Sequence, residues 1–342
     1  MMAAPAMETI TSPELPAPAR YFPLDKGVYE VAPGLRPLGT SFGNGAADER
    51  VFQIDREYEI FRANKFACRT ERLSKYHAVS EFKTEVAGCV SRFMADKLVS
   101  EHPQWFSWAP SGRKRLDCRL SGESLYFTPD FQLDHAEGAA RSPAYVSAFD
   151  ALCCQIQEDV AVVSAEAGGT DRVCALHLCS PGYWAAEEKI GKNFFAVHAP
   201  VPGIEKVNAA AAAIVRMMIE RGPFVRFVWG FTTDRRLNHH PEPPPQIPAA
   251  QWRGRDFPSQ PFTLRVERQI TWGLPEVRSA LFFIRVYYLD GESIKADPQE
   301  RALLRSSLTS LSPESRRYKG VEGRLDDILA WLDAPQASFQ NA

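Results

Sequence analysis

The chain has 342 residues, enough for one large or two modest domains, and its 45% of hydrophobic residues can form a sizeable core. Its 40 basic and 42 acidic residues give a formal charge of −2 without a strongly basic block, which argues against a nucleic-acid-binding surface. No apolar run approaches the ~20 residues of a membrane span, and the N-terminus lacks a signal-peptide pattern. We therefore expect a cytoplasmic protein that binds neither nucleic acid nor a membrane.

The N-terminal part of the chain is predicted to contain a tail and two helices. Residues 1–50 are rich in Pro, Gly and Ala, and we expect them to wrap the surface or to be disordered. Residues 51–112 form a predicted helical region with helices at about 57–73 and 79–102, the second with apolar residues at near-helical spacing. Pro103 ends the second helix. We expect this region to pack against the domain that follows.

Residues 113–312 are predicted to form a sheet domain, because the apolar periodicity shifts towards two. A β-hairpin is predicted where strands 160–165 and 172–179 flank the sequence AGGTD, whose glycines supply the positive φ of a tight turn. A helix at about 204–220 precedes three more predicted strands, at 224–232, 262–272 and 279–289. This order favours an antiparallel sheet with helices on one face, an α+β architecture.

The C-terminal region is predicted to be helical. Asp297 is a suitable N-cap, and Pro298 fits the first position of a helix that continues through 299–310. A shorter helix is predicted at 324–332, within a C-terminal helix and tail of residues 313–342.

The seven cysteines are odd in number and include no CxxC pair, which argues against a disulfide framework and an iron–sulfur cluster. We interpret them as reduced, mostly buried thiols. Cys174, His177 and Cys179 are the one group that could bind zinc. In a strand, His177 and Cys179 lie on one face and Cys174 on the other, so the three converge only if the strand contains a bulge.

One histidine, His198, lies in the segment EKIGKNFFAVHAPVP at residues 188–202. Pro200 and Pro202 fix φ and push the residues before them into extended conformations, so the backbone after His198 is stiff. A positioned ligand requires a stiff backbone, and the imidazole nitrogen is a common ligand of metals and of haem iron. The alternative interpretation is a hydrogen-bonded packing residue.

Two of the predicted strands carry polar side chains on one face. Arg265 and Glu267 share such a face, which either contacts solvent or lines a pocket as a donor and an acceptor. Arg226 lies in line with Gly230, which would permit the close approach of a flat or large ligand. Arg226 could pair with a carboxylate or donate to bound oxygen, or its charged end could extend into solvent beside a bulge.

Several motifs occur in a recognisable order, namely PxxW at 181–184, EKIG at 188–191, VHAPVP at 197–202, RVERQ at 265–269 followed by LP at 274–275, and IRVYY at 284–288. Together these motifs resemble the α-subunit family of haem-dependent oxidative N-demethylases. The resemblance covers about residues 50–312, and the order and spacing of the motifs are more specific than any single motif.

The resemblance implies a PAS-like fold, in which a five-stranded antiparallel sheet and flanking helices bind haem b through a single histidine, matched here by His198. It also implies that the haem activates oxygen to oxidise a small secondary amine, dimethylamine, to methylamine and formaldehyde. Electrons would come from separate subunits that carry flavin and an iron–sulfur cluster, and tetrahydrofolate would accept the formaldehyde. This chain has neither a dinucleotide-binding fingerprint nor a cluster-binding set of cysteines, which agrees with a partner reductase.

The strand faces on which they lie and their charges suggest roles for four more residues. Arg226 would polarise oxygen bound on the open face of the iron, and Glu267 would accept a hydrogen bond from an ammonium substrate. Arg265 and Arg285 would pair with the haem propionates.

Our leading hypothesis is a haem b-dependent monooxygenase subunit that acts on a small amine or a similar N-alkyl compound. One alternative is a haem-based oxygen or redox sensor, since PAS-like folds commonly serve in sensing. The other is a haem-free binding or scaffold protein that retains the fold. Family members tend to have asparagine where this chain has Val228, so we expect the wall of the substrate pocket to differ here.

Overall fold

The chain folds into two antiparallel β-sheets with helices packed around them, in a computed structural model that describes residues 15–110, 112–138, 143–166, 168–253 and 262–335. The strands are β1 (Arg36–Pro37), β2 (His77–Val79), β3 (Phe106–Trp108), β4 (Arg115–Cys118), β5 (Glu123–Phe127), β6 (Leu133–Glu137), β7 (Asp159–Ala165), β8 (Asp171–His177), β9 (Phe224–Thr232), β10 (Thr263–Leu274) and β11 (Ser279–Asp290). The helices are α1 (Tyr58–Tyr76), α2 (Thr84–Glu101), α3 (Ala148–Cys153), α4 (Phe194–His198), α5 (Glu205–Ala209), α6 (Ala211–Glu220), α7 (Ala249–Arg253), α8 (Gly291–Ala296), α9 (Pro298–Thr309), α10 (Pro313–Tyr318) and α11 (Leu325–Asp333). The predicted α+β architecture is confirmed.

The larger sheet has the strand order β1-β9-β10-β11-β7-β8-β2. Its five central strands are the predicted hairpin, β7 and β8, and the three predicted strands β9, β10 and β11. The short strands β1 and β2 only extend its edges. β10 and β11 pair without interruption from Thr263↔Asp290 to Leu274↔Ser279, so the register fixes which side chains share a face.

This sheet has two chemically different faces, because cross-strand partners point to the same side. The pocket face carries Arg226, Val228 and Gly230 of β9, Arg265, Glu267 and Gln269 of β10, and Phe282, Ile284 and Val286 of β11. The core face carries Val225, Phe227 and Trp229 of β9, Val266, Arg268 and Ile270 of β10, and Phe283, Arg285 and Tyr287 of β11.

Helices α2 and α3 cover the core face and enclose the largest hydrophobic cluster of the described residues. Val90 and Met94 of α2 and Leu152 of α3 are fully buried in this cluster, together with Phe283 of the sheet. Each such side chain contributes about 1.5–3 kcal/mol to folding through its burial. The core face therefore carries much of the stability of the fold.

Helices α4, α5 and α6 lie over one end of the pocket face. Val207 and Ile219 pack with Ala280 and Phe282 of the sheet. Helix α6 approaches β10 closely because Gly273 has no side chain, and a Cβ atom at Gly273 would overlap the carbonyl oxygen of Ile219. This packing closes one end of the pocket face.

The prediction of one continuous helix at 204–220 is wrong, because the segment is divided into α5 and α6. Ala210, between them, has φ of −100° and ψ of 9°, outside the helical region. The break lets α5 pack beside α4, where the Nδ2 of Asn208 donates to the carbonyl oxygen of Phe195 at 3.4 Å. Helix α6 then continues across the sheet.

The smaller sheet, in the order β3-β4-β5-β6, was not predicted from the sequence. Its residues Leu116, Leu125 and Phe127 are buried in the same cluster as α2. The sheet therefore extends the core and lies away from the pocket face. Among the described helices, none combines the length and the apolar character needed to span a membrane.

Candidate functional site

His198 is the last residue of the short helix α4, which is fixed at both ends. The side chain of Asn193 caps the helix by accepting a hydrogen bond from the backbone N–H of Ala196 at 2.9 Å. At the other end, Lys189 Nζ donates to the carbonyl oxygen of Val197 at 2.6 Å. These contacts hold the backbone that carries His198.

The imidazole of His198 has a defined tautomer. Its Nδ1 lies 2.8 Å from the carbonyl oxygen of Phe194, which can only accept, so Nδ1 carries the proton and donates. The ring also packs on the Phe194 ring with a centroid distance of 4.1 Å. Nε2 is therefore left with its lone pair, which is the arrangement found in histidines that ligate metals.

Electrostatics also favour the neutral form of His198. Burial lowers the pKa of its imidazole, the Phe194 carbonyl opposes that shift, and the positive charge of Arg226 lowers the pKa further. The half-buried ring is thus uncharged at neutral pH. It also lies close enough to Arg226 for the two side chains to interact.

Arg226 lies on the pocket face of β9, opposite Gln269. Its Nε is buried without a hydrogen-bond partner, and we find no hydrogen bond or ion pair to its guanidinium from the residues that the structure describes. Burial lowers the pKa of Arg226, and the nearby charge of Glu267 opposes this shift. The residue as a whole is partly buried, and a guanidinium that is withdrawn from water without a partner is costly unless a ligand supplies one.

Glu267 is held in the wall of the pocket by its neighbours on β10. Its carboxylate accepts from Gln269 Nε2 at 3.0 Å and from Arg265 Nη2 at 3.4 Å. The side chain is 13% exposed, and Gly182 approaches it closely, since a Cβ atom there would lie 3.0 Å from Oε1. The carboxylate is thus positioned, and it lies on the same face of the sheet as Arg226.

The two arginines predicted to bind propionates occupy different places. Arg265 is buried and donates to the carbonyl oxygens of Ser180 and Leu237 and to the hydroxyl of Tyr288, so it anchors the loops at the other end of the pocket face. Arg285 lies on the core face, where Nη2 is 2.8 Å from Asp55 Oδ2.

Arg285 is fully buried and its guanidinium carbon lies 3.7 Å from the centroid of the Phe61 ring. The sheet itself separates this guanidinium from the pocket face. We therefore do not retain Arg285 as a residue of the candidate site.

Three residues that sequence reasoning missed, Tyr29, Tyr318 and Lys319, lie near the edge of β9, beyond the two residues that pair with β1. Lys319 Nζ donates to the carbonyl oxygen of Trp229 at 2.7 Å. Burial lowers the pKa of Lys319 to about 7, with Glu267 opposing the shift. Burial also raises the pKa of Tyr29 to about 12, and Tyr318 interacts electrostatically with Glu267. No local motif marks these residues, because only the fold brings the ends of the chain to this edge.

Open space lies over the pocket face at Gly230. A Cβ atom at Gly230 would have no atom of the described residues within 4 Å. The close packing at Gly273 on the same face shows that this opening is local. Gly230 therefore leaves room for a ligand on the strand that carries Arg226.

A separate buried cluster contains Asp150, Cys154 and His177, whose ligand atoms lie within 4.8 Å of one another. His177 Nε2 is 3.2 Å from Asp150 Oδ1, and Arg69 also donates to Asp150. Burial opposes protonation of His177, but Cys179 and Asp150 raise its pKa to about 9. We interpret the cluster as a buried ion-pair network, since two cationic partners already neutralise the carboxylate.

The sequence group Cys174, His177 and Cys179 does not converge in the structure. Cys179 Sγ is 3.8 Å from His177 Nδ1, whereas Cys174 Sγ contacts Ser164 Oγ at 3.1 Å and the Val162 carbonyl at 3.5 Å. The expectation that Cys174 points away from the other two agrees with these contacts.

A family model described as haem-dependent oxidative N-demethylase, alpha subunit-like, matches residues 44–329. The chain belongs to this family. The match includes His198, Arg226 and Glu267, and it confirms the resemblance inferred from the ordered motifs. The description indicates dependence on haem and an oxidative demethylase-like activity. A comparison with curated proteins finds no match.

The residues of the pocket face fit a haem. An iron ligand requires a neutral imidazole with a free nitrogen, and His198 offers Nε2. A flat macrocycle requires space beside the sheet, which Gly230 leaves open. The unpaired guanidinium of Arg226 supplies a hydrogen-bond donor for an anionic or polar group.

Proposed function

We propose that this protein is the haem b-dependent, oxygen-activating subunit of a system that oxidatively N-demethylates a small secondary amine or a related N-alkyl compound. The observation that supports this most directly is the hydrogen bond from His198 Nδ1 to the Phe194 carbonyl, which leaves Nε2 with its lone pair on a ring that interacts with Arg226 of the pocket face. In this proposal His198 is the single protein ligand of the iron. Family membership supports haem dependence, and the pocket residues support a small polar substrate.

When bound, the haem supplies the activation of dioxygen. The protein's own part is to bind and orient the reactants. Arg226 donates hydrogen bonds into the pocket, where a dry environment strengthens its interaction with negative charge. Glu267, fixed by Gln269 and Arg265, accepts from the N–H of a protonated amine.

Electrons in this scheme come from a partner reductase with flavin and iron–sulfur subunits. The cysteines of the chain form no CxxC pair in the sequence. All of them except Cys89 are buried. These features favour a chain that receives electrons and does not bind the flavin or the cluster itself.

The proposal can be tested by reconstituting the purified protein with haem and recording visible spectra. We expect stoichiometric haem in the wild type, and a loss of haem affinity of at least about tenfold with an altered Soret band in His198→Ala. His135→Ala is the matched control, because His135 is exposed on β6 and away from the pocket, and it should behave as the wild type.

A His198→Ala protein with full haem and an unchanged Soret band would contradict the ligand assignment. Activity is measured as amine-dependent formaldehyde formation with a reductase and NADPH. A ferrous protein that binds oxygen stably, and that consumes no NADPH with any amine, would instead support a sensor.

A further inference from the structure

Lys319 follows α10 and is buried, with only 8% of its surface exposed. Its ammonium lies 4.0 Å from the centroid of the Trp229 ring and 4.6 Å from that of the Tyr29 ring. It also donates to the carbonyl oxygen of Trp229 at 2.7 Å. Lys319 is thus fixed at the edge of β9 by one carbonyl and two aromatic rings.

These contacts do not neutralise a charged lysine. Within the described ranges of the chain, no carboxylate lies within ion-pair distance of Lys319 Nζ, and Glu267 is the acidic group that influences it from farther away. Burying an ammonium without an anionic partner is costly. Because burial disfavours the charged form, the pKa of Lys319 is lowered to about 7.

The position of Lys319 places it beside the pocket. Its carbonyl partner, Trp229, directly precedes Gly230, over which the pocket face is open. Tyr29, which packs on the ammonium, also interacts electrostatically with Arg226. Lys319 therefore borders the same space as the residues assigned to the haem pocket.

The arginines expected to bind propionates are engaged elsewhere. The guanidinium of Arg265 already donates hydrogen bonds to the carbonyl oxygens of Ser180 and Leu237 and to the hydroxyl of Tyr288. Arg285 pairs with Asp55 on the core face. A haem seated on the pocket face still carries two carboxylates that require cations.

We infer that Lys319 binds a carboxylate of the haem, a propionate, at the edge of β9. This inference rests on the proposed function, because it takes a haem on the pocket face as given. The Lys319 ammonium moves from contacts with a carbonyl and two rings to a charge-assisted hydrogen bond. The carboxylate thereby supplies the anion that the apoprotein lacks.

The test compares the equilibrium binding of haem with that of haem dimethyl ester, which has the same macrocycle and iron but no charged carboxylates. Wild type should bind haem at least about tenfold more tightly than the ester. In Lys319→Met this preference should fall to within about threefold, whereas Lys319→Arg should retain most of it. All three proteins should keep the Soret band of the wild type, because the iron ligand is unchanged.

Lys295→Met is the matched control. Lys295 is also a buried lysine beside a tryptophan, 4.8 Å from the Trp331 ring, but it lies on α8. This variant should keep the full preference for haem over the ester.

Equal binding of the two porphyrins by the wild type would overturn the inference without any substitution. So would a Lys319→Met protein with the wild-type preference. These outcomes leave the proposed function intact, since His198 ligation would still be visible in the spectrum. A wild-type protein that binds neither porphyrin would overturn both.

Discussion

The seven-stranded sheet carries two kinds of arginine. The fold supplies hydrogen-bond partners to the buried Arg268 and Arg285 on the core face and to the buried Arg265 on the pocket face, but not to the partly buried Arg226. On the core face, Arg268 donates to the carbonyl oxygen of Arg50 at 2.7 Å, and Arg285 pairs with Asp55. On the pocket face, the guanidinium of Arg226 has no hydrogen-bond partner among the described residues. An arginine is structural where the fold supplies its hydrogen-bond partners, and a guanidinium partly withdrawn from water indicates a ligand where the fold supplies none.

The glycines of the pocket face show the same contrast over a short distance. Gly273 is needed because α6 packs directly on it, whereas Gly230 faces open space. One end of the face is thus filled by the protein itself, and the strand that bears Arg226 is left free. The proposed haem position follows from this difference.

The largest expected effect distinguishes the two kinds of arginine. Arg285→Met should reduce the free energy of unfolding by about 3–5 kcal/mol, because it leaves the buried Asp55 carboxylate without its partner. Arg226→Met should change it by less than about 1 kcal/mol, since no partner is left behind. Urea unfolding of the haem-free proteins measures both values. Equal losses in the two variants would show that the faces do not differ in this way.

A smaller effect is expected from the two glycines. Gly273→Ala should destabilise the protein by about 1–3 kcal/mol, because the new methyl group overlaps the Ile219 carbonyl and forces α6 away from the sheet. Gly230→Ala should stay within about 1 kcal/mol of the wild type. Thermal unfolding of the haem-free variants checks the pair. A Gly230→Ala protein as unstable as Gly273→Ala would mean that the space over β9 is already filled.

The smallest effect is a difference in pH response between the histidines of the two faces. The pKa of His198 on the pocket face lies below the ordinary 6.5, so its neutral, ligating form persists as the pH falls to 6.5 and is lost only below that value. His177 on the core face has a pKa of about 9, so its contribution to stability is complete below 6.5 and is lost as the pH rises through about 9.

We therefore expect haem affinity to be constant from pH 8 to pH 6.5 and to fall in more acidic solution, as followed by Soret absorbance. Stability, measured by urea unfolding, should decline as the pH rises from 6.5 to about 9. Haem release that begins well above pH 6.5 would be inconsistent with a neutral, buried His198.

The strands of the central sheet were predicted well because the alternation of apolar and polar residues continues over many positions. The strand predicted at 224–232 coincides with β9, and the hairpin and the last two strands differ only at their ends. The sheet of β3 to β6 was missed because its strands have three to five residues, too few for alternation to be distinguished from loop.

The site was predicted only in part. The expectation that Pro200 makes the residue before it extended was wrong, because Ala199 has φ of −50° and ψ of −33° and continues the helical conformation after His198. The choice of His198 therefore depends on the family motif, and the faces on which Arg226 and Glu267 lie followed from the alternation of their own strands. The position of Arg285 depends on its pairing opposite Arg268, a register that one strand alone does not reveal. Lys319 was missed because its neighbours Trp229 and Tyr29 are distant in sequence, and only tertiary packing brings them together.

The central claim is that a haem occupies the pocket face with His198 Nε2 as its protein ligand. A crystal structure of the protein reconstituted with haem tests this most directly. We predict iron at ~2.0–2.1 Å from His198 Nε2, by analogy with other imidazole–metal bonds, with the macrocycle over Gly230 and beside Arg226. Iron bound to another residue, or a haem located away from the pocket face, would contradict the account.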